Sequence, residues 1–400
     1  MHILVSGAGI AGSTLAWWLA RTGIRVTLIE RDPSSVGKGH NIDVQGSALS
    51  ILERMSLLDT LKANNTGERG TTVIDQHGKT LASFPLETGL SPTNPHEILR
   101  GDLCGLLHAA AMKQSGVQTV VGRIDPGSVL VNEKGVTASL HDGRPLSGDA
   151  LVICDGQWSH LRSHLYDPSD ITVVDKNFFS FYATIPREEQ DGDQWWLCSV
   201  DRRRMLTTRP DPHGSTRAML LKVPCDAREK ESLEAASRAP IAHQKALART
   251  LFSSTGWQAK RLCDGIDKSD DFYLHNVKQI RMARWVTQDR IICLGDTAYC
   301  PTPLTGMGAP LAILGAYTLA GELSILEDDA TRIPQAFSRY EKIYREHVEK
   351  AQEIPLGSLL PGIALPSSWL GVTVLRTFLA CLARLCSTPW IADRLRGDGK

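Results

Sequence analysis

The stretch Gly7-Ala8-Gly9-Ile10-Ala11-Gly12 joins an apolar run, Ile3–Ser6, to a segment with helical periodicity, Gly12–Thr22. A second apolar run, Ile24–Glu30, follows and ends in a carboxylate. Strand, glycine-rich turn, helix and strand in this order form the βαβ unit of a dinucleotide-binding fold. We therefore predict an α/β architecture whose parallel sheet is covered by helices.

The three glycines of this turn have distinct roles. Gly7 permits the tight turn, Gly9 lets the backbone approach a pyrophosphate, and Gly12 lets helix and strand pack closely. The helix N-terminus presents N–H groups and a positive dipole end to phosphates. Glu30 can accept hydrogen bonds from ribose hydroxyls and disfavours a 2′-phosphate, so the turn predicts FAD or NAD rather than NADP as the resident dinucleotide. The predicted contacts of this half of the ligand are Gly7, Gly9, Ala11, Gly12, Glu30 and Arg31.

Two later apolar strands end in an aspartate. Asp155 follows Leu151–Cys154, and Asp296 follows Ile291–Gly295. An aspartate at the carboxyl end of a strand suits a sugar or ribityl hydroxyl, for which an ordinary NAD-dependent dehydrogenase has no use. The two motifs therefore favour FAD over NAD. The alternatives are a plain N-cap for Asp296 and a turn closed by an Asp155–Arg162 pair.

Two helix starts are predicted to contact the flavin nucleotide. Arg100 enters a helix after a short apolar run and could reach a diphosphate or the flavin edge. Gly306 and Met307 stand before a small-residue helix, 308–326, whose N–H groups could stabilise negative charge on a reduced flavin ring.

The sequence pattern changes after residue 70. Thr71–Ile74 and Thr80–Phe84 flank a His77-Gly78 turn and predict a hairpin, and later strand candidates have turn residues between them. The predicted fold class is α/β, with a Rossmann-like FAD-binding domain split in sequence, an antiparallel β-sheet substrate domain and a helical C-terminal tail. The predicted boundaries are 1–70, 97–170 and 280–345 for the FAD-binding domain, 71–96 and 171–279 for the β-sheet domain, and 346–400 for the C-terminal helical region.

Composition excludes several classes of function. Lys plus Arg and Asp plus Glu both number 44, and this balance argues against nucleic acid as a partner. The nine cysteines show no zinc or iron–sulfur spacing, so we expect reduced thiols and no metal. The N-terminus lacks the pattern of a secretion signal, and we expect a cytoplasmic protein. Arg376 and Arg384 interrupt the apolar stretch Trp369–Cys386, which favours a packed helix over a membrane span.

The order of these motifs is similar to that of the group A FAD-dependent monooxygenases of the p-hydroxybenzoate hydroxylase type, over roughly residues 1–345. Gly39–Asp43, Asp271–Tyr273 and Gln279–Met282 also resemble the aromatic-hydroxylase branch. The resemblance implies that NADPH or NADH binds transiently and reduces FAD. It further implies that O2 is trapped as a C4a-hydroperoxide and that one oxygen enters a small aromatic or polycyclic substrate by hydroxylation, epoxidation or Baeyer–Villiger insertion. The alternatives are a reductase or dehydrogenase of the same fold and a non-catalytic flavin redox sensor.

The resemblance also implies roles for single residues. The glycine turn would hold the pyrophosphate of FAD, and Glu30 would hold the adenosine ribose. Asp155 belongs to a motif that serves both FAD and NAD(P)H in this family. Asp296 would bond the ribityl chain, with Gly306 and Met307 near the isoalloxazine ring.

The substrate is expected to bind on the β-rich insertion. Flat apolar ligands stack on aromatic and thioether side chains, although about half of any set of strand residues faces away from a given ligand. A general base for a phenol would be His, Tyr or a carboxylate. The chain is expected to be a monomer or a homodimer. The candidate wall residues are Phe179, Phe181, Trp196 and Met219, and the candidate catalytic residues are Tyr182, His275 and Tyr299.

Overall fold

The computed structural model describes residues 1–32, 39–88, 91–354 and 360–386. These residues divide into two compact units. The first unit consists of Met1–Ala63, Ile98–Val174 and Lys278–Ile354. The second unit consists of Asn64–Glu97, Asp175–Val277 and the described part of 355–400. Each unit is therefore built from three separate stretches of the chain.

Strands and helices are numbered in chain order over the described residues. The strands are β1 (His2–Ser6), β2 (Arg25–Glu30), β3 (Asn41–Asp43), β4 (Gly70–Ile74), β5 (Thr80–Pro85), β6 (Glu97–Leu99), β7 (Val117–Val121), β8 (Leu130–Asn132), β9 (Gly135–Ser139), β10 (Pro145–Gly148), β11 (Ala150–Ile153), β12 (Ile171–Pro186), β13 (Trp195–Val200), β14 (Arg204–Pro210), β15 (Ser215–Lys222), β16 (Phe272–Met282), β17 (Val286–Thr287) and β18 (Ile291–Cys293). The helices are α1 (Ile10–Arg21), α2 (Ser47–Arg54), α3 (Leu58–Ala63), α4 (Arg100–Met112), α5 (His160–Leu165), α6 (Ala227–Ser237), α7 (Ile241–Phe252), α8 (Ala259–Lys268), α9 (Asp296–Tyr299), α10 (Gly308–Ser324), α11 (Ile333–Ala351), α12 (Leu360–Ala364) and α13 (Trp369–Cys386).

The first unit contains a six-stranded sheet in the order β17-β18-β11-β1-β2-β7. Its strands are parallel except at the β17 edge, where β17 runs antiparallel to β18. Ile3, Leu4 and Val5 of β1 are fully buried, as expected for a central strand covered on both faces. The parallel sheet expected from the glycine turn is therefore present, and β1, β11 and β18 lie side by side in it.

A smaller antiparallel sheet, β10-β9-β8, was not expected from the sequence. Its strands have three to five residues, and β8 and β10 are largely exposed or half-buried. Short strands without a fully buried face give little hydrophobic periodicity, so the sequence contains no strong signal for them.

The second unit is built on a seven-stranded sheet in the order β16-β12-β15-β14-β13-β4-β5. Neighbouring pairs such as β12–β15, β14–β15 and β4–β5 are antiparallel, as the sequence predicts. The pair β13–β4 differs, because its strands are parallel. The two strands come from distant stretches of the chain, so no hairpin turn forces them to run in opposite directions.

Helices α6, α7 and α8 supply a hydrophobic layer of the second unit that the sequence analysis did not anticipate. Leu233, Phe252 and Leu262 from these helices join one buried cluster with Phe179 and Phe181 of β12. The cluster covers one face of the sheet. The helices are mostly polar on their other sides, and Leu233 is the one buried side chain of α6.

Helix α13 packs against the β4–β5 edge of the second unit. Leu379 and Ala383 contact a buried cluster that contains Val73 and Phe84, and Arg376 Nη2 donates to the Ser199 carbonyl at 2.6 Å. The packed helix expected here is therefore observed. Over the described ranges, the structure contains no helix long and apolar enough to cross a membrane.

Candidate functional site

The glycine turn between β1 and α1 combines close packing with open space. An ideal Cβ at Gly12 would lie 1.9 Å from the Gly7 carbonyl oxygen, so any side chain there would separate helix from turn. An ideal Cβ at Gly9 meets no atom within 4 Å in the described residues. Gly9 is the N-cap residue of α1, and no described side chain caps this helix end. The N-terminus of α1 is thus available to an anion that approaches past Gly9.

Glu30 closes the turn at the end of β2. Its carboxylate accepts hydrogen bonds from the backbone N–H of Ala8 at 2.8 Å and of Asp32 at 3.0 Å. Arg31, which lies between Glu30 and Asp32 in the sequence, is exposed. Glu30 therefore lies beside the glycine turn, where the sequence analysis expected a ribose-binding carboxylate.

Arg100 begins α4 next to the same turn. Its backbone N–H donates to the His40 carbonyl at 2.9 Å, and an ideal Cβ at Gly39 would lie 3.3 Å from the Arg100 Cβ. The Cys104 thiol, one turn later, is hydrogen-bonded to the backbone of Ile10. The charge of Arg100 lowers the pKa of this thiol and the charge of Glu30 raises it. Burial is the main reason that the pKa of Cys104 is raised. The starts of α1 and α4 therefore converge near Glu30.

Asp155 and Asp296 share an unusual combination of properties. Both residues are exposed to solvent, yet desolvation by the surrounding protein is the main cause that raises the pKa of each carboxyl group. The Arg100 charge opposes the shift at Asp296. The carboxylates at the two strand ends are therefore accessible, and the surrounding protein disfavours the charge of each.

The Asp155–Arg162 pair, which was the alternative interpretation of this turn, is absent from the described contacts, and other hydrogen bonds take its place. Ser6 Oγ and Ser159 Oγ donate to Asp155 at 2.6 and 3.2 Å. The Arg162 guanidinium instead donates to the Thr297 carbonyl at 2.8 Å. The backbone N–H of Gly156 donates to Thr297 Oγ1 at 2.9 Å, so the ends of β11 and β18 are tied to each other. Asp155 is therefore hydrogen-bonded to Ser6 of β1, whereas Arg162 connects the segments that follow β11 and β18.

The Asp296 strand end also packs against the first helix. An ideal Cβ at Gly295 would lie 2.9 Å from the Cβ of Ala11. Ala11 therefore contacts the protein rather than facing open space, and its small side chain permits the close approach. Asp296 is held beside the first turn of α1 as a result.

A second uncapped helix start lies on the chain after Asp296. Gly306 adopts the left-handed conformation with φ 64° and precedes Met307, the N-cap residue of α10. The N-terminus of α10 has no side-chain cap within the described part of the chain. Gln45 Nε2 donates to the Met307 sulfur at 3.5 Å, and Asp43 Oδ2 is 3.5 Å from an ideal Cβ at Gly306. The loop after β3 thus adjoins the start of α10.

The candidate wall residues fall on both faces of the second unit's sheet. Phe179 and Phe181 are fully buried in the cluster covered by the helices, where Phe181 meets Phe252 edge-on at 5.8 Å. Trp196 packs against the same cluster. Met219 pairs across strands with Tyr182 and lies on the other face. Phe179, Phe181 and Trp196 therefore pack in or against the hydrophobic core of this unit.

The other face of this sheet, called the second face here, carries Tyr182, Met219, Thr207, Tyr273 and His275. Tyr182 and Tyr273 stack at 4.8 Å, and Thr207 is the cross-strand partner of Met219. His275 is two residues from Tyr273 on β16 and shares its face. Burial lowers the pKa of His275 to about 4 and raises that of Tyr182, so both side chains are neutral at pH 7.

Tyr299, the third catalytic candidate, lies in the core of the first unit. The residue is 1% exposed, and its hydroxyl is 2.9 Å from the Tyr340 hydroxyl. Trp285 packs against both rings. This position favours a structural role.

Thr207 and Tyr273 on the second face were not predicted from the sequence as substrate contacts. The alternation of side chains places residues of one parity on one face, so Tyr182 and Met219 could have identified both neighbours once the strand register was known. The register itself depends on pairing between distant strands, and no local pattern specifies it.

Two uncapped helix starts, a carboxylate beside the glycine turn and two accessible carboxylates at strand ends lie in one α/β unit. This arrangement is that of a dinucleotide-binding protein. The donors and open positions fit FAD.

Comparison with known proteins agrees with this class. Residues 1–353 match the family described as FAD binding domain, and the chain belongs to this family. It is 36% identical over 389 residues to the monooxygenase CTB7 of Cercospora beticola, covering 94% of this chain and 91% of the relative. FAD is therefore the cofactor, and the protein is an oxidoreductase of the FAD-dependent monooxygenase group. The resemblance to group A enzymes is confirmed.

Solved structures show the same fold. Tetracycline destructase Tet(51) matches with a TM-score of 0.77 at 23% identity, covering 97% of this chain and 99% of that one. HpxO of Klebsiella pneumoniae, complexed with FAD and uric acid, matches with a TM-score of 0.68 at 19% identity, covering 99% and 97%. At these identities the likeness concerns the fold alone.

Proposed function

We propose that the protein is a single-component monooxygenase that uses NADPH or NADH and O2 to oxygenate a small aromatic or polycyclic compound. The observation that carries the proposal is Asp296, an accessible and desolvated carboxylate beside α1 and just before the uncapped start of α10. A ribityl chain needs such a hydroxyl acceptor, and a flavin ring needs the positive helix end nearby. The naming of the relatives as monooxygenases supports the same reaction class.

The first unit would hold FAD through residues already described. The α1 N-terminus and the open space at Gly9 would take the pyrophosphate, and Glu30 would take the adenosine ribose. Asp296 would accept from ribityl hydroxyls, and such bonds favour its ionised form. Arg100 would contact the flavin nucleotide. Bound FAD supplies the chemistry that passes electrons from NAD(P)H to O2 and allows one oxygen atom to enter the substrate.

The N-terminus of α10 would stabilise negative charge on the flavin ring. Its N–H groups lack side-chain caps among the described residues, and Gly306 and Met307 bring the backbone close to whatever lies before the helix. Preorganised N–H donors stabilise developing charge at no reorganisation cost, which is the principle of an oxyanion hole.

The second face would bind the substrate. Its stacked Tyr182–Tyr273 pair and Met219 suit a flat, apolar ring system. Neutral His275 can accept a hydrogen bond from a substrate hydroxyl, but its low pKa makes it a weak base. Tyr182, whose raised pKa keeps the hydroxyl protonated, would act as a hydrogen-bond donor.

Oxidation of NADPH and NADH, followed with and without O2 across a panel of phenols and polyketides, tests this function. The proposal predicts oxidation that is stimulated by substrate and requires O2, with one atom of isotopically labelled O2 in the product. Turnover without incorporated oxygen would contradict it and favour the reductase alternative. A protein whose flavin neither nicotinamide reduces would favour the redox sensor.

A further inference from the structure

Helix α13 carries two apolar stripes along its length. Leu379 and Ala383 of the first stripe pack against Val73 and Phe84, and Val372, on the same stripe, is 3% exposed. A surface helix of a globular protein has one such stripe facing the core and polar side chains on the opposite face. The first stripe accounts for the packing of α13 on the second unit.

The second stripe, called the outer stripe here, is exposed. Its members follow one another at intervals of four residues and therefore lie in a row on one side of the helix. Exposed apolar side chains are ordinarily scattered singly, and a contiguous exposed patch marks an interaction site for a protein or a membrane. The four members are Leu370, Val374, Phe378 and Leu382, with exposed fractions of 65%, 62%, 62% and 37%.

The exposed polar side chains beside the outer stripe satisfy their own hydrogen-bond donors. Thr373 Oγ1 donates to the Trp369 carbonyl at 3.0 Å, and Thr377 Oγ1 donates to the Thr373 carbonyl at 2.9 Å. Each threonine hydroxyl has one donor, and these bonds within the helix use both. This side of α13 can therefore leave water at little cost in lost hydrogen bonds.

The charges around the outer stripe are positive. The range 360–386 contains two arginines and no aspartate or glutamate. Arg384 is exposed near the end of α13. Arg202 is exposed near its beginning, where the Arg202 backbone N–H donates to the Ser367 carbonyl at 3.0 Å. Asp201, which precedes Arg202, is paired at 2.7 Å with the arginine that begins β14. Cations therefore lie at both ends of the apolar row.

We propose that the outer stripe is a docking surface for an anionic lipid bilayer, with α13 lying in the plane of the membrane interface. A helix in this position buries its apolar face at the boundary between headgroups and acyl chains, and cations at its ends meet the anionic headgroups. A second copy of the chain fits less well, because self-pairing would bring arginines together on a segment that has no carboxylate to receive them. This docking does not depend on the proposed reaction.

Sedimentation of the FAD-loaded protein with lipid vesicles tests the proposal. Phosphatidylcholine vesicles that contain about one-third phosphatidylglycerol should bind the wild type at low ionic strength, and added salt should weaken the binding. The double replacement Val374→Ser/Phe378→Ser should reduce partitioning to these vesicles about ten-fold or more, because two apolar side chains no longer enter the bilayer. Ile343→Ser is the matched control, since Ile343 is 58% exposed on α11, a helix that contains three glutamates. The control should bind vesicles as the wild type does.

A charge replacement separates the electrostatic contribution from the apolar one. Arg202→Gln should weaken binding to the anionic vesicles about five-fold, because one cation near the membrane surface is lost. Binding to vesicles of phosphatidylcholine alone should be weaker than to the anionic vesicles in the wild type and should not change in Arg202→Gln. Retention of FAD by every variant shows that the protein is folded.

A wild type that stays in solution with the anionic vesicles at low salt would overturn the proposal, and so would equal binding by Val374→Ser/Phe378→Ser. Gel filtration and thermal melts then identify the true occupant of the outer stripe. A wild-type dimer that the double replacement dissociates would assign the stripe to a second copy. A melting temperature that the double replacement lowers, in a monomer that binds no vesicles, would show that the chain itself covers the stripe. Both results reject the membrane.

Discussion

Gly12 and Gly7 are so close that a Cβ on Gly12 would overlap the Gly7 carbonyl oxygen, at 1.9 Å. Gly9, between them in sequence, has no atom of the described chain within 4 Å of its ideal Cβ. The same motif therefore contains one glycine required by the protein's own packing and one whose free space faces outward. Folding and ligand binding can be separated at these two positions.

Gly9→Ala should leave the unfolding free energy of the apoprotein near the wild-type value and weaken FAD binding roughly ten-fold, through the loss of about one charge-assisted contact. Gly12→Ala should lower the unfolding free energy by about 1–3 kcal/mol or more, because the helix must move. Thermal melts of the apoprotein and FAD titrations measure both quantities. Full FAD affinity in Gly9→Ala would count against the proposed pyrophosphate position.

Asp296→Asn should separate stability from cofactor retention. Desolvation raises the pKa of Asp296, so the ionised carboxylate present at pH 7 opposes folding of the apoprotein, and its removal should leave stability equal or higher. FAD retention should fall, because an amide is a weaker acceptor for ribityl hydroxyls. Equal FAD occupancy in mutant and wild type after dialysis would reject the assigned role.

The stability of the second unit should depend on His275 in mild acid. Its pKa is about 4 in the folded protein, below the ordinary value of 6.5, so the unfolded chain binds more protons between these values. Stability is then complete above pH 6.5 and falls as the pH drops toward 4, by on the order of 3 kcal/mol. His275→Gln should flatten this decline in urea unfolding curves. The exposed His77→Gln is the control, and an equal effect of both would contradict the account.

Met219→Ala and Phe181→Ala should affect different properties. Phe181 is fully buried beneath the helices, and its truncation should cost about 3–5 kcal/mol of unfolding free energy. Met219 is half-buried on the second face, so its truncation should cost less and raise KM for the substrate. Steady-state kinetics with any accepted substrate, together with urea melts, make the comparison. An unchanged KM in Met219→Ala would remove it from the substrate site.

Tyr299→Phe should behave as a core substitution. The loss of the hydrogen bond to Tyr340 should lower the unfolding free energy by about 1 kcal/mol, and kcat should stay within two-fold of the wild type. A large fall in kcat with normal stability would instead restore Tyr299 as a catalytic residue.

The parts of the site that are local in sequence were predictable. The glycine turn, Glu30, Asp155 and Asp296 each follow an apolar strand, and parallel strands bring their carboxyl ends to one edge of the sheet. The orientation of Phe179 and Phe181 was not predictable in the same way. It depends on which face the helices cover, and a helix such as α6, with Leu233 as its one buried side chain, gives no clear amphipathic signal.

The conformation of Thr302 was equally hidden from the sequence. Gln279 and Gln352 clamp its loop from positions more than twenty residues away along the chain, and nothing in Cys300-Pro301-Thr302-Pro303 indicates a positive φ. Long-range side-chain contacts override local preference at this point.

Binding of FAD by the first unit underlies every other role proposed for residues of this protein. Its most direct test is to purify the protein, denature it and identify the released flavin by chromatography, with added FAD supplied to any apoprotein. We expect a yellow protein that releases one FAD per chain. A colourless protein that also fails to bind added FAD would contradict it.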